Sequence, residues 1–158
     1  MKNIFEELDY QDTPLGEISL RRRTDPRLDN KLIYEVKLGD EFLMSSLFVE
    51  AEKQLSKLAL ARLIEQDSTA EFDVVVGGLG LGYTALTALS NDVVKRVRVI
   101  DIMQPVIKWH QQGLLPIGDT LAISPRCDLL LGDFFAIATA LTEGFIDDDR
   151  VDGVLFRH

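Results

Sequence analysis

A run of valines that passes into closely spaced glycines, residues 74–84, constrains this chain more than any other stretch. The three valines at its start predict a strand that is buried on both faces, as in a parallel sheet. The glycines that follow permit unusual backbone conformations and let a ligand approach bare peptide. A helical pattern begins near Ala85, and its first N–H groups point back at the same place. Strand, glycine loop and helix in this order predict a nucleotide pocket at the carboxyl edge of a sheet.

The spacing of the glycines separates three kinds of nucleotide loop. The P-loop pattern G-x-x-x-x-G-K-[ST] fails because Tyr83 stands at the lysine position, which leaves a triphosphate without its counter-charge. The dinucleotide pattern G-x-G-x-x-G fails because its last glycine would fall on that same tyrosine. The pattern G-x-G-x-G does fit, on Gly78, Gly80 and Gly82, and it is similar to the first motif of the class I AdoMet-dependent fold (AdoMet, S-adenosylmethionine). A tight strand-to-helix turn without a ligand is the alternative.

An acidic residue ends the next predicted strand. Asp101 follows the strand Val97–Ile100 and lies 19 residues after Gly82. An acid about 20 residues beyond such a loop accepts the ribose hydroxyls of a nucleotide. A carboxylate is suited to this role because it accepts two hydroxyl protons at once. The alternatives for Asp101 are a solvated strand end and a cap for the helix that follows.

The remaining chain supplies a second layer and the rest of a sheet. Strict alternation of apolar residues and a Gly39-Asp40 turn predict an antiparallel β-meander within residues 10–46. Further strands are predicted over Leu129–Leu131 and Val151–Phe156, with a helix between them through Leu141. The sequence therefore predicts an N-terminal β-meander over residues 1–46 and an α/β, Rossmann-like domain with a parallel sheet over residues 47–158.

Three local predictions concern residues outside the motifs. The basic run Arg21-Arg22-Arg23 is expected on the exposed side and end of a strand, and the stretch Pro116-Ile117-Gly118-Asp119 is expected to be a loop. Trp109 is expected to pack against the fold, and His110 is expected to be a surface imidazole.

Composition narrows the possible partners and the compartment. The net charge of −9 argues against nonspecific nucleic-acid binding and favours cationic ligands. No apolar run is long enough to span a membrane, and the N-terminus lacks the apolar region of a signal peptide. The single cysteine, Cys127, suits a reducing cytoplasm. We expect no metal, no membrane and no nucleic-acid partner.

These motifs resemble those of the spermidine synthase (polyamine aminopropyltransferase) family. The resemblance starts at Tyr10-Gln11-Asp12, continues through the segment around Asp101 and includes Gly132-Asp133. It implies a cofactor site in which Gln11 lines the nucleotide, Asp101 binds the ribose, Asp133 binds the adenine amino group and Phe134 lies beside the ring. The glycines at positions 78, 80 and 82 complete this expected site. The ligand implied is decarboxylated AdoMet or AdoMet, bound as a co-substrate.

The chain also departs from that family's pattern. Gly80 stands where the family's loop carries an aspartate for the amine end, and Met103 replaces a second acid. Phe48-Val49-Glu50 replaces the family's Tyr-His-Glu, and Arg157 stands at the position of the catalytic aspartate. No catalytic residue is therefore assigned. The small number of predicted strands also leads us to expect a parallel sheet that is incomplete at the C-terminus of a truncated chain.

Three functions follow from this pattern. The resemblance implies a transferase that moves an aminopropyl group from decarboxylated AdoMet to a small amine acceptor. A methyltransferase that uses AdoMet and a methyl acceptor is the alternative, since the loop lacks the family's aspartate. A truncated domain that binds the nucleotide without catalysis is the third. The family resemblance also implies a homodimer formed through the N-terminal β layer.

Overall fold

The structure, a computed structural model, describes residues 4–139 and the backbone of residues 153–157. Contacts between Cα atoms divide the chain into two compact units, Met1–Val49 and Glu50–His158. None of the helices in the described part of the chain is long and apolar enough to cross a membrane.

The first unit is an antiparallel sheet of four strands in the order β1-β2-β3-β4. Gly39, with φ of 56°, makes the tight turn between the last two strands. These observations confirm the predicted meander, although its first strand begins five residues before the predicted limit at residue 10. The strands are β1 (Phe5–Thr13), β2 (Gly16–Asp25), β3 (Lys31–Leu38) and β4 (Glu41–Ser45).

Ion pairs link neighbouring strands of this sheet. Glu6 on β1 pairs with Arg22 on β2 at 2.8 Å. Arg21 and Arg23, which the sequence placed on an exposed side of a strand, are instead partly buried, and both bind the carboxylate of Glu35, at 2.8 and 3.0 Å. That carboxylate is buried, so the two guanidinium groups supply the charge-assisted hydrogen bonds that a buried acid requires.

The second unit contains a parallel sheet of four strands in the order β7-β6-β5-β8. In chain order this is 3-2-1-4, the order in which a Rossmann-like sheet begins. Val74, Val76, Val97 and Val99 are buried in its core, which confirms the parallel α/β sheet predicted from the valine runs. The strands are β5 (Phe72–Gly77), β6 (Val94–Asp101), β7 (Cys127–Leu131) and β8 (Gly153–Arg157).

The α-helices in the described part of the chain all belong to the second unit. The predicted loop at residues 116–119 is correct for Pro116 and Ile117 but wrong for Gly118 and Asp119. A helix begins at Gly118, where a Cβ atom would lie 2.7 Å from the carbonyl oxygen of His110. The predicted extension of the last helix to Leu141 lies outside the described residues. The helices are α1 (Glu50–Gln66), α2 (Tyr83–Leu89), α3 (Gln104–Gln111), α4 (Gly118–Ile123) and α5 (Phe134–Thr139).

Candidate nucleotide site

A cavity of about 320 Å³ lies at the carboxyl ends of β5, β6 and β7. In open parallel sheets, ligands bind outside the carboxyl ends of the strands. The cavity therefore occupies the position at which the sequence predicts a nucleotide. It is lined by Gly77, Gly78, Ile100, Asp101, Ile102, Gly132, Asp133, Phe134 and Phe135.

The loop after β5 needs its glycines for conformation. Gly78, Gly80 and Gly82 have φ values of 98°, 52° and 90°, in the left-handed region that side chains with a Cβ atom rarely adopt. At Gly82 a Cβ atom would also lie 2.7 Å from the side chain of Leu121. The G-x-G-x-G spacing is thus explained by three positive φ angles. Its role in binding a cofactor stays a prediction.

Asp101 joins the end of β6 to the glycine loop. Its Oδ2 accepts the backbone N–H of Leu79 at 2.7 Å, and its Oδ1 accepts that of Met103 at 2.7 Å. The residue is only 9% exposed, and it lines the cavity. Because each carboxylate oxygen accepts two hydrogen bonds, each keeps one site for a ligand. The carboxylate is thus fixed in position by the loop that it also stabilises.

Asp133 and Phe134 form the opposite wall at the end of β7. Asp133 Oδ1 accepts the N–H of Ala136 at 3.0 Å, which caps the start of α5. The ring of Phe134 rests directly on Gly77, where a Cβ atom would lie 2.6 Å from the ring. The bare glycine therefore makes room for the aromatic wall. The binding roles of both residues remain predictions.

Sequence reasoning missed several residues of this wall. Gly77, Ile100 and Ile102 line the cavity, and so does Phe135, whose ring meets that of Phe134 edge to face at a centroid distance of 5.6 Å. Each of them is adjacent in sequence to a residue that was predicted. A prediction that included the sequence neighbours of each predicted site residue would have found them.

His110 corrects a further prediction. The sequence assigned Trp109 to packing and His110 to a surface imidazole, but the imidazole is fully buried under the loop. Its Nε2 lies 2.8 Å from the carbonyl oxygen of Gly80. Burial lowers the pKa of His110, since the charged form loses its hydration there. The helical spacing gave no sign of this contact because the two residues meet only in the folded chain.

Gln11 belongs to the first unit. It lies on β1, where its amide donates to the carboxylate of Asp9 at 2.7 Å. Its expected role at the nucleotide stays a prediction.

The backbone of Arg157, at the end of β8, is in register with Gly77 at the cavity edge. The described residues contain no group of three or more potential metal ligands.

Comparison with solved structures identifies the fold. The structure of spermidine synthase from Thermotoga maritima matches with a TM-score of 0.62 and 14% sequence identity, over 80% of this chain and 40% of that one. A spermidine synthase in complex with the transition state analogue AdoDATO matches with a TM-score of 0.61 and 14% identity, over 80% of this chain and 41% of that one. No protein-family model and no curated protein matches the sequence. The chain thus has the fold of a spermidine synthase and covers about two fifths of the length of these two structures.

Proposed function

We propose that the cavity binds the adenosyl part of decarboxylated AdoMet or AdoMet, and that the chain is a spermidine synthase-like transferase. Its reaction would transfer an aminopropyl group to an amine acceptor. The position of Asp101 carries this proposal, because its carboxylate faces the cavity from the end of β6 while both oxygens are held by backbone N–H groups. Two solved structures that match this fold are spermidine synthases, and one of them is in complex with a transition state analogue, which supports the same assignment.

Each of three cavity residues binds a different part of the nucleotide. Asp101 offers one remaining acceptor position on each oxygen, which matches the two hydroxyl protons of a ribose. Asp133 offers Oδ2 to the adenine amino group while Oδ1 caps the helix. The ring of Phe134 offers an aromatic face to the adenine. A sulfonium ligand is a cation, and the two carboxylates in the cavity wall favour it over an anionic nucleotide.

Aminopropyl transfer places a defined demand on the protein. The amine nitrogen forms a bond to the carbon beside the sulfonium, the carbon–sulfur bond breaks, and its electron pair leaves on sulfur as methylthioadenosine. The proton of the attacking amine must pass to a base, since a protonated amine has no free electron pair and its pKa is about 10. None of the described side chains is assigned this role. We therefore limit the proposed catalytic contribution to binding and orientation.

Methyl transfer is the second candidate, and Gly80 is the observation that favours it. The family resemblance places an aspartate at this loop position for the amine end of the substrates, and this chain has a glycine there with φ of 52°. A loop without that carboxylate does not repel the carboxylate of intact AdoMet. Transfer of a methyl group to an activated acceptor relies largely on positioning, and its nucleotide product is S-adenosylhomocysteine.

The two reactions are separated by their nucleotide products. The chain is incubated with decarboxylated AdoMet and a set of diamines, and separately with AdoMet and the same amines, and the products are identified by mass spectrometry. Methylthioadenosine formed only when an amine is present supports aminopropyl transfer, and S-adenosylhomocysteine supports methyl transfer. Binding without either product assigns the chain to the third function, a nucleotide-binding domain. Absence of both binding and product rejects the proposal.

A further inference from the structure

We infer that His110 is a positioning residue of the glycine loop, and that it fixes the orientation of the peptide between Gly80 and Leu81. The part of this inference that concerns the ligand rests on the nucleotide site proposed above. The part that concerns the loop rests on the structure of the free chain alone.

The hydrogen bond to Gly80 determines the chemical state of His110. A carbonyl oxygen only accepts, so the bond of 2.8 Å requires the proton on Nε2. Nδ1 is buried and makes no hydrogen bond within the part of the chain that the structure describes. A proton on Nδ1 would be a buried, unpartnered donor on a charged ring, which is costly. The imidazole is therefore neutral, with the Nε2–H tautomer.

That bond fixes one peptide plane of the loop. In a trans peptide the N–H points opposite to the C=O, so the N–H of Leu81 faces away from the imidazole when the Gly80 carbonyl faces it. Within residues 4–139 this N–H has no hydrogen-bond acceptor. His110 thus holds this backbone donor on the side of the loop that faces away from the imidazole.

Three separate bonds then hold three successive residues of the loop. The N–H of Gly78 donates to the carbonyl of Ile100 at 2.8 Å, and the N–H of Leu79 donates to Asp101 at 2.7 Å. The carbonyl of Gly80 accepts from the imidazole, and this bond holds a glycine, whose backbone no Cβ atom restrains. Without the donor at position 110, we expect the loop to sample other peptide orientations.

The packing around the ring is equally close. A Cβ atom at Gly82 would lie 2.9 Å from Cε1 of His110, so the ring also lies directly against the next glycine of the motif. The carboxylate of Asp101 interacts electrostatically with the imidazole. Helix α4 packs against the backbone of His110 at Gly118. The imidazole is therefore carried by α3, packed against α4, and in contact with two glycines of the loop, Gly80 and Gly82.

The test compares two substitutions of similar length. His110→Gln places an amide N–H where the Nε2–H was, and His110→Met fills the space without a donor. We expect two changes in the Met variant. The amide proton of Gly82, which donates to the carbonyl of Leu79 at 2.8 Å, should exchange about tenfold faster, and the nucleotide should bind about tenfold more weakly, the size of one lost hydrogen bond. The Gln variant should stay within about threefold of the parent in both measurements.

Val94→Ala is the control for a merely structural role. Val94 is buried at the amino end of β6, the end away from the loop, so its truncation destabilises the same core without touching the glycines. Loop exchange under native conditions, and the affinity of the folded fraction, should not change in this variant. Equal changes in Val94→Ala and His110→Met would overturn the positioning role.

A measurement on the unsubstituted chain keeps the inference testable if a variant fails to fold. The imidazole nitrogen chemical shifts should show the neutral Nε2–H tautomer of His110 at about pH 7. An Nδ1–H tautomer excludes the bond to Gly80 and overturns the inference. If the parent chain binds no nucleotide while the loop exchange follows the donor at position 110, the proposed function fails and the positioning role stands.

Discussion

The carboxylate of Asp101 accepts the backbone N–H of Leu79 over a distance of 2.7 Å, which ties the end of one parallel strand to the loop that follows its neighbour. The two residues are far apart in sequence, but their strands are paired in register up to Gly77 and Ile100. This bond explains why an acid belongs at the end of β6 even before any ligand is considered. It also predicts that substitutions of Asp101 act on the loop and on ligand binding together.

Asp101→Asn should weaken nucleotide binding. The amide keeps a single acceptor oxygen, so one of the two bonds to backbone N–H groups is lost together with the negative charge. The ribose hydroxyls then no longer bind a charged carboxylate. Loss of a hydrogen bond to a charged group costs about 1.5–3 kcal/mol, or about tenfold to a hundredfold in affinity for the nucleotide. Asp92→Asn makes the same change of charge on an exposed residue outside the cavity and should leave the dissociation constant unchanged. Equal affinities in both variants, measured by calorimetry, would remove Asp101 from the site.

Gly77→Ala should be destabilising because its new methyl group meets the ring of Phe134 at 2.6 Å. Overpacking of this kind costs about 1–3 kcal/mol. In a Phe134→Ala background the ring is absent, so the same substitution should cost much less, and the double substitution should cost less than the sum of the two single costs. Urea unfolding measures all four chains.

Gly132→Ala provides the control for that cycle. A Cβ atom there would approach Ile100 and Ile137 at 3.3 Å and has no close contact with the Phe134 ring. Its cost should therefore be the same with and without the ring. Additive costs for Gly77 and Phe134 would contradict the packing seen in the cavity wall.

The lowered pKa of His110 predicts a pH-dependent loss of stability. Because the folded pKa lies below the ordinary value, the unfolded chain binds the proton first as the pH falls, and the folded state loses stability below the unfolded pKa of about 6.5. Glutamine at position 110 does not titrate. The stability of the parent relative to His110→Gln should therefore be greater at about pH 7.5 than at about pH 5. A difference that is constant or reversed in urea unfolding would refute the buried, neutral imidazole.

Asp25 should contribute stability that is lost in acid. The guanidinium and the backbone N–H of Arg27 donate hydrogen bonds to the Asp25 carboxylate, and together with the Arg23 guanidinium they hold the pKa of that carboxyl well below its usual range. The contribution is present above the unfolded pKa of about 4 and declines as the pH falls below it. Asp25→Asn should therefore cost most near neutral pH and progressively less in acid. Asp12→Asn removes an exposed acid on β1 and serves as the control, and at neutral pH it should cost less than Asp25→Asn in thermal unfolding.

Local patterns predicted the features of the fold that depend on neighbouring residues. The valine run at residues 74–76 is buried because a parallel strand is covered on both faces, and the glycine spacing follows from three positive φ angles. Asp101 was placed by its distance along the chain. These features repeat in any strand–loop–helix unit, so the sequence carries them directly.

Other features depend on contacts between distant residues. The acidic strand β1 has few apolar residues and was not predicted before residue 10, because its pairing depends on partners such as Arg22 in β2. The burial of His110 depends on a carbonyl 30 residues earlier in the chain. The helix at Gly118 forms against the backbone of His110, and a single sequence shows no sign of that approach.

The most direct test of the account is a calorimetric titration of the chain with decarboxylated AdoMet and, in parallel, with AdoMet. We expect saturable binding of at least one of them with one site per chain, and a weaker affinity for Asp101→Asn than for Asp92→Asn. Tighter binding of the decarboxylated form supports aminopropyl transfer, and tighter binding of AdoMet supports methyl transfer. If neither nucleotide binds, or if both variants bind as the parent does, the nucleotide site at the end of β6 is refuted.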